Sequence, residues 1–403
     1  VLWSISMKKI SLLVFLFTSS CSTTKEFLPG FVPDFVVNYF TEEIKPYSNL
    51  PDFIKSVETY LVWEKKISGE IISEDSSLNL YKFNEEMYVP TSDRKLHIIS
   101  LENGELRKSI DTVLDIFSNI IVDSKLFYFG SKQDTVNAIN HVDGTLLWQR
   151  LMSSEIMSIS KSSDSDEVLY VRTNDSKISA IDVNTGKFLW VNSQLPPTLS
   201  IRGSSSVLLE DDKVFVGFDD GKIVAFDSEN GDAIWQSQLS AVKAETIIDR
   251  LNDIDGSMII DNGTLFAISY QGSIAAIDSF SGQVMWSREA SSLYGLAEND
   301  DNIFYINDDG VLWCVDKFSG KPVWKQEKFF KRLTGDPVFH NNFILVKDVE
   351  NYLHIINAED GDIMGRIKNK DPIQSIYSDY DSIYLLEKNL SLKKYQINTI
   401  LKQ

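Results

Sequence analysis

Few side chains in this 403-residue chain have the type and spacing that chemistry requires. The four histidines, His97, His141, His340 and His354, would be the first candidates for metal binding or proton transfer. None lies at ligand spacing from another histidine or a cysteine, and no H-E-x-x-H occurs, so each reads as structural. No G-x-S-x-G elbow, P-loop or G-x-G-x-x-G turn after a strand is present. Acidic pairs recur at Asp211-Asp212, Asp219-Asp220, Asp300-Asp301 and Asp308-Asp309. The terminal Glu of a Ca2+ loop is missing, and each pair reads as a solvated hairpin turn. The expectation is a non-enzyme with no catalytic residues, no metal and no cofactor. One residue, Cys21, carries a definite covalent expectation, and its context is the start of the chain.

What could position binding residues is a repeat. Short tracts ending in glycine follow an apolar strand seven times, with the glycines at 104, 144, 186, 231, 282, 320 and 361. The steps are 40, 42, 45, 51, 38 and 41 residues, and in five copies a Trp stands four residues after the Gly (148, 190, 235, 286 and 324). The clearest unit, 213–235, reads KVFVGFDDGKIVAFDSENGDAIW: two alternating strands around a tight turn, an Asp to cap the next turn, a Gly free to take positive φ, then a strand carrying Trp. A period near forty with this chemistry predicts a β-propeller.

The ends complete the count. YLVWEKKI (60–67) has Trp63 where a repeat Trp belongs but no hairpin before it, and 381–397 is a hairpin with no Trp strand after it. The expectation is therefore all-β: an eight-bladed propeller of four-stranded antiparallel blades over 57–397, closed by the N-terminal strand completing the last blade, with 398–403 a short tail. Lys108 and Gly365 stand where two copies lack Trp, so those interfaces should pack differently.

The net charge of −19 argues against nucleic acid and anionic lipid as direct partners, and 43% hydrophobic with 24% charged residues fits a soluble body. Met7-Lys8-Lys9 followed by ISLLVFLFTSSC resembles a bacterial lipoprotein signal: residues 1–20 would be the export signal, with 1–6 an upstream misread of the start, and Cys21 the lipidated residue. Ser22 after it, rather than Asp, points to the outer membrane, facing the periplasm. Only Cys314 then remains, in an apolar strand, as a buried small hydrophobe. Residues 21–56 read as a tether, but Phe27, Phe31, Phe35, Tyr39, Phe40, Tyr47 and Phe53 make it too aromatic to be inert, and part of it should dock on the propeller or on a partner.

Two consecutive connections depart from the period: 191–205 after Trp190 and 236–257 after Trp235. Connections of this type share one face of a propeller, and long loops on neighbouring blades of a rigid ring form a candidate binding site. Their segments TLSIRGSS and ETIIDRLNDID resemble the signature loops of the BamB family, propeller lipoproteins of the β-barrel assembly machinery, whose close forms read L-S-L-R-G and E-I-D-R-L-x-D-x-D. Ile201 replaces the family's second Leu, and the tether is longer and more aromatic than usual. The resemblance implies a non-catalytic scaffold that binds the periplasmic POTRA domains of BamA, and through it the other Bam components and nascent outer-membrane proteins. It also implies that Leu199, Ile201, Arg202, Asp253 and Asp255 face BamA. Asp249, Arg250, Asp253 and Asp255 could instead brace the loop internally. The repeat also resembles that of the quinoprotein dehydrogenases, which makes a pyrroloquinoline-quinone-dependent or sensor propeller the alternative. That family's adjacent cysteine pair and extra length are missing here.

Overall fold

The structure is a computed structural model that describes residues 46–69, 80–161, 167–195, 205–239, 254, 256 and 258–400. Every regular element among them is a β-strand. The strands form eight four-stranded antiparallel sheets, seven of them sequential: 81–111, 116–151, 156–193, 208–238, 259–290, 297–326 and 333–368, called blades 1–7. Blade 8 joins 373–399 to the N-terminal strand Val57–Lys66, which pairs antiparallel with Ser391–Thr399 from Val57↔Thr399 to Lys66↔Ser391. The first and last strands of the repeat thus lie in one sheet, as the complementary fragments predicted. Eight buried apolar clusters each combine side chains of two successive blades, and the eighth unites Tyr384, Leu386 and Leu392 of blade 8 with Met87, Val89 and Ile99 of blade 1. The described residues therefore form a closed ring of eight blades.

The repeat motif explains how blades stack. In each of blades 2–6 a row of directly paired residues crosses strands two, three and four as aromatic, small, Trp: Tyr170–Ala180–Trp190 in blade 3, Phe304–Cys314–Trp324 in blade 6. The small middle residue lets the indole lean onto the aromatic ring, with centroids 6.0 Å apart in blade 3 and 5.9 Å in blade 6. The far side of each indole lies on the turn glycine of the next blade. Gly186 has φ +63°, and a Cβ there would come within 2.6 Å of Trp148. Indole N–H groups donate to the carbonyl at the start of that turn, as in Trp190 Nε1 to Ser228 O at 2.9 Å and Trp324 Nε1 to Ala358 O at 3.0 Å. Trp63 repeats this across the seam, on Gly104 and Leu101 O.

The two interfaces without Trp are indeed packed differently. Lys108 Nζ donates to His141 O (3.3 Å) and Val142 O, so an ammonium replaces the indole N–H at the same turn. In blade 7 the row reads Leu345–Ile355–Gly365, and Val57 of the closing strand fills the space over Gly365, 2.5 Å from where a Cβ would stand.

Residues 47–56, part of the tether on sequence grounds, pack along blade 7. Ser48 N donates to Phe330 O (2.9 Å), Arg332 Nη1 to Ser48 O (2.9 Å) and Arg366 Nη2 to Pro51 O (2.8 Å), while Arg366 lies over the Phe53 ring. Beneath them Asp348, fully buried as a side chain, accepts from Arg332, from the amides of Glu350 and Tyr352, and from His354 Nε2 at 2.8 Å. Arg366 Nε can only donate, so His354 Nδ1 accepts (3.2 Å) and the ring is neutral with its proton on Nε2. Burial would raise the Asp348 carboxyl, but His354, the Tyr352 amide and Arg332 outweigh it and hold it at about 2. Burial holds the His354 imidazole below its ordinary value despite that carboxylate.

Two outcomes follow. Cys314 occupies the small position of its row, and burial pushes its thiol up to about 12. Cys314→Ala should therefore shift unfolding free energy by less than about 1.5 kcal/mol, while Cys314→Leu costs about 1–3 kcal/mol by overpacking against Trp324, both read by urea denaturation. Second, a neutral buried His354 makes the unfolded state take up the extra proton as pH falls through 6.5, and Asp348 adds a loss from 3.8 down toward 2, so both weaken the fold in acid. His97 and His340, also held low by burial, act in the same direction. His354→Gln should lessen the drop in unfolding free energy between pH 7 and pH 5, and an unchanged drop would contradict the neutral assignment.

Candidate functional site

Antiparallel alternation puts the connections between blades on the same face as the hairpins joining strands two and three. The roots of the two long connections therefore lie on one face, from blade 3 to 4 and from blade 4 to 5. Leu199, Ile201, Arg202, Asp253 and Asp255, like Cys21, lie outside the described residues. What the structure places is the base on which those loops stand.

That base converges on Gly217, the last residue of a blade 4 strand, Lys213–Gly217. A Cβ there would lie 2.9 Å from Ile254 Cγ2 and 3.1 Å from Ser205 Oγ. Ser205, the last residue of the first connection, donates to Gly217 O at 3.0 Å. Ile254, between Asp253 and Asp255 in sequence, is fully buried with Phe215, Ile223 and Leu239. The loop roots thus meet over one glycine, and the second loop is pinned between its two signature aspartates. Two residues further, Gly256 abuts the Tyr294 carbonyl so closely that no side chain would fit.

A buried ion pair supports the first root. Arg172 of blade 3 donates through Nη2 to Asp219 of blade 4 at 2.6 Å and through Nη1 to Ser205 Oγ at 2.9 Å, with its guanidinium over Phe218. Asp219 is 4% exposed, so the Asp219-Asp220 pair is not simply a solvated turn. Asp220, Asp211, Asp300 and Asp308 remain at turns, as expected. No sequence signal singled out Arg172, because its partner is a turn aspartate 47 residues away. Leu195, in the first part of the first loop, is 89% exposed. The same face holds a cavity of about 360 Å3 across blades 5–7, lined by Tyr270, Leu293, Tyr294, Asn307, Lys331 and Leu333. It shares Tyr294 with the root of the second loop.

The histidines all have structural partners: His97 with Ser109 Oγ, His141 with Ser124 O, His340 with Ser378 Oγ, and His354 as above. Among the described residues no three His, Cys, Asp or Glu side chains gather as metal ligands do.

Fold and repeat define an eight-bladed propeller of the type shared with quinone enzymes. The solved quinohemoprotein alcohol dehydrogenase from Comamonas testosteroni matches it with a TM-score of 0.66 at 12% identity, over 86% of this chain and 78% of that one. BamB from Moraxella catarrhalis matches with a TM-score of 0.74 at 22% identity, over 84% of this chain and all of that one. These likenesses concern the fold. In sequence, the family described as outer membrane protein assembly factor BamB matches residues 116–326, more than half of the chain. The assembly factor of that name from Yersinia pestis is 32% identical over 58% of this chain, which spans 59% of that relative's length. The chain belongs to the BamB family.

Removing Arg172 alone would take from buried Asp219 the guanidinium that donates to it at 2.6 Å. Arg172→Met should cost about 3–5 kcal/mol of unfolding free energy, with Arg172→Met/Asp219→Leu restoring most of it. A double variant no more stable than the single one would show that the pair does more than balance charge.

Proposed function

We propose that this protein is a non-catalytic, lipid-anchored scaffold of the β-barrel assembly machinery, held at the periplasmic side of the outer membrane through Cys21. It binds the periplasmic POTRA domains of BamA and assists the folding and insertion of outer-membrane β-barrel proteins. Family membership supports the assembly role, and the pairing of two long loops over a shared, buried base carries the assignment of the contact. Leu199 and Ile201 supply an apolar anchor, with exposed Leu195 continuing it along the same loop. Arg202 offers a planar donor fork beside them, and Asp253 and Asp255 meet basic groups or hold the loop in shape. Anchoring both loops at Gly217 removes freedom that binding would otherwise have to freeze out. Likeness to the Comamonas enzyme favours a second reading, quinone binding, which requires a stoichiometric quinone absorbance to stay with the protein when quinone and Ca2+ are added and unbound quinone is removed.

The deciding experiment is a pull-down of the propeller with residues 47–56 as its strap (47–403) against BamA's periplasmic domains, comparing wild type with Leu199→Ala/Arg202→Glu. Circular dichroism checks the fold. Wild type should bind, and the folded variant should lose about ten-fold or more in affinity. Unchanged binding would move the contact away from the first loop, and no binding by wild type would sink the scaffold reading.

A further inference from the structure

The face opposite the two loops carries the turns joining strands one to two and three to four. In blades 5 and 6 these turns read DSFSG and DKFSG, and they place Phe280 and Phe318 at the same turn position, each 77% exposed. Turn geometry does not require an aromatic there, since Asn184, Glu229 and Glu359 fill the position in other blades. Both turns are held rigid in the same way. Asp278 Oδ1 accepts from the Ser281 amide and hydroxyl (2.7 and 2.6 Å), and Asp316 does the same for Ser319 at the same distances. Each turn is also stapled to its blade's other turn on this face, Ser279 N to Gly263 O and Lys317 N to Asp301 O, both at 2.9 Å. The rings are therefore presented to solvent on fixed supports, the form that binding anchors take.

Their surroundings specify the charge of what they would meet. Asp300 and Asp301 stand exposed beside the Phe318 turn, and Asp211, Asp212, Glu229 and Asp232 extend the acidic surface across blade 4. Nearby cations are largely committed: Lys317 is buried between Asp261 and Glu298, both at 2.7 Å, and Lys213 pairs with Asp212 while covering one side of Phe280. Lys321 stands against that surplus. An anionic lipid surface would be repelled, whereas a basic peptide chain would be drawn in and could stack its apolar or guanidinium groups on the two rings.

We propose that Phe280 and Phe318, with the acidic turns around them, form a second docking surface, on the face opposite the BamA-facing loops, for an extended cationic polypeptide segment bearing apolar side chains. This surface does not depend on the loop assignment, because it shares no residue with it.

The test is fluorescence anisotropy of full-length mature protein with labelled peptides in which Phe is spaced among Lys and Ser, with Glu replacing Lys, and with Ser replacing Phe. Wild type should bind the Lys/Phe peptide about ten-fold or more tighter than either counterpart, and more weakly as salt rises from about 50 to about 300 mM. Phe280→Ser/Phe318→Ser should cost about ten-fold, and Asp300→Lys/Asp301→Lys, a change confined to an exposed turn, should weaken binding independently. Equal binding of the Glu/Phe peptide, or unchanged affinity in the folded double Phe variant, would overturn the proposal. So would co-sedimentation with anionic phospholipid vesicles that the double Phe variant loses, which would make the two rings a membrane contact.

Discussion

The ring depends on one contact: a tryptophan of one blade lying flat on a left-handed glycine of the next. Six of the eight interfaces use it, from Trp148 on Gly186 around to Trp63 on Gly104. A blade alone is a small twisted sheet whose apolar faces need cover, and that cover has to come from the neighbouring blade. The glycine is required twice over, since its φ is positive and its missing Cβ is where the indole rests. The rest of the row adapts to the ring: Ala or Cys in the middle where Trp must lean inward, Ile where Gly365 has replaced it. Cys314 is thus a spacer in a packing row, which is why burial and not reactivity describes it.

Much of this was legible in the sequence because repetition multiplies weak signals. One Gly-x-x-x-Trp means little, but five at steady spacing, with Trp63 waiting at the start of the chain, set both the architecture and its closure. The ion pair below the loops was not legible, because Asp219 looks like any aspartate of an Asp-Asp-Gly turn. Its burial arises only when blade 3 brings Arg172 across a distance no local pattern reports. The cluster of Arg332, Asp348, His354 and Arg366 escaped for the same reason. Its partners on the 47–56 segment, the carbonyls of Ser48 and Pro51, carry no side-chain signature at all. Of the candidate site, the sequence named loop residues outside the described structure, while the structure supplied the support under them.

That division reflects how a propeller separates tasks. The positions inside a blade are largely buried against the blade's neighbours, so little there is free to change, and variation is left to the turns. On one face, insertions after Trp190 and Trp235 lengthen two neighbouring connections, and their roots close over Gly217. On the other face, the turns joining strands three and four keep one length through blades 1–7, because strand pairing and an Asp, Asn or Ser cap dictate it. Variation there can only change the side chain at the turn's middle, and Phe280 and Phe318 are such changes. Long loops can shape themselves to a folded partner. Short rigid turns offer points of contact, which suits a chain that has no shape of its own.

The seam shows how the chain's entry into the ring is managed. The closing strand supplies both Val57, against blade 7, and Trp63, against blade 1, so it holds two interfaces that internal repeats would otherwise fill. Tension on the chain before Tyr47 would reach this strand last. It meets first the carbonyls of Ser48 and Pro51, gripped by arginines whose own charges are balanced by Asp348 and Glu350 or spread over the Phe53 and Tyr352 rings. Charge-assisted hydrogen bonds of this kind, partly shielded from water, yield less readily than a solvent-facing strand edge. A protein tethered by its N-terminus would otherwise put the load on the one strand that keeps its ring closed. If the chain is held through the anchor proposed above, its 47–56 segment would pass that load to blade 7.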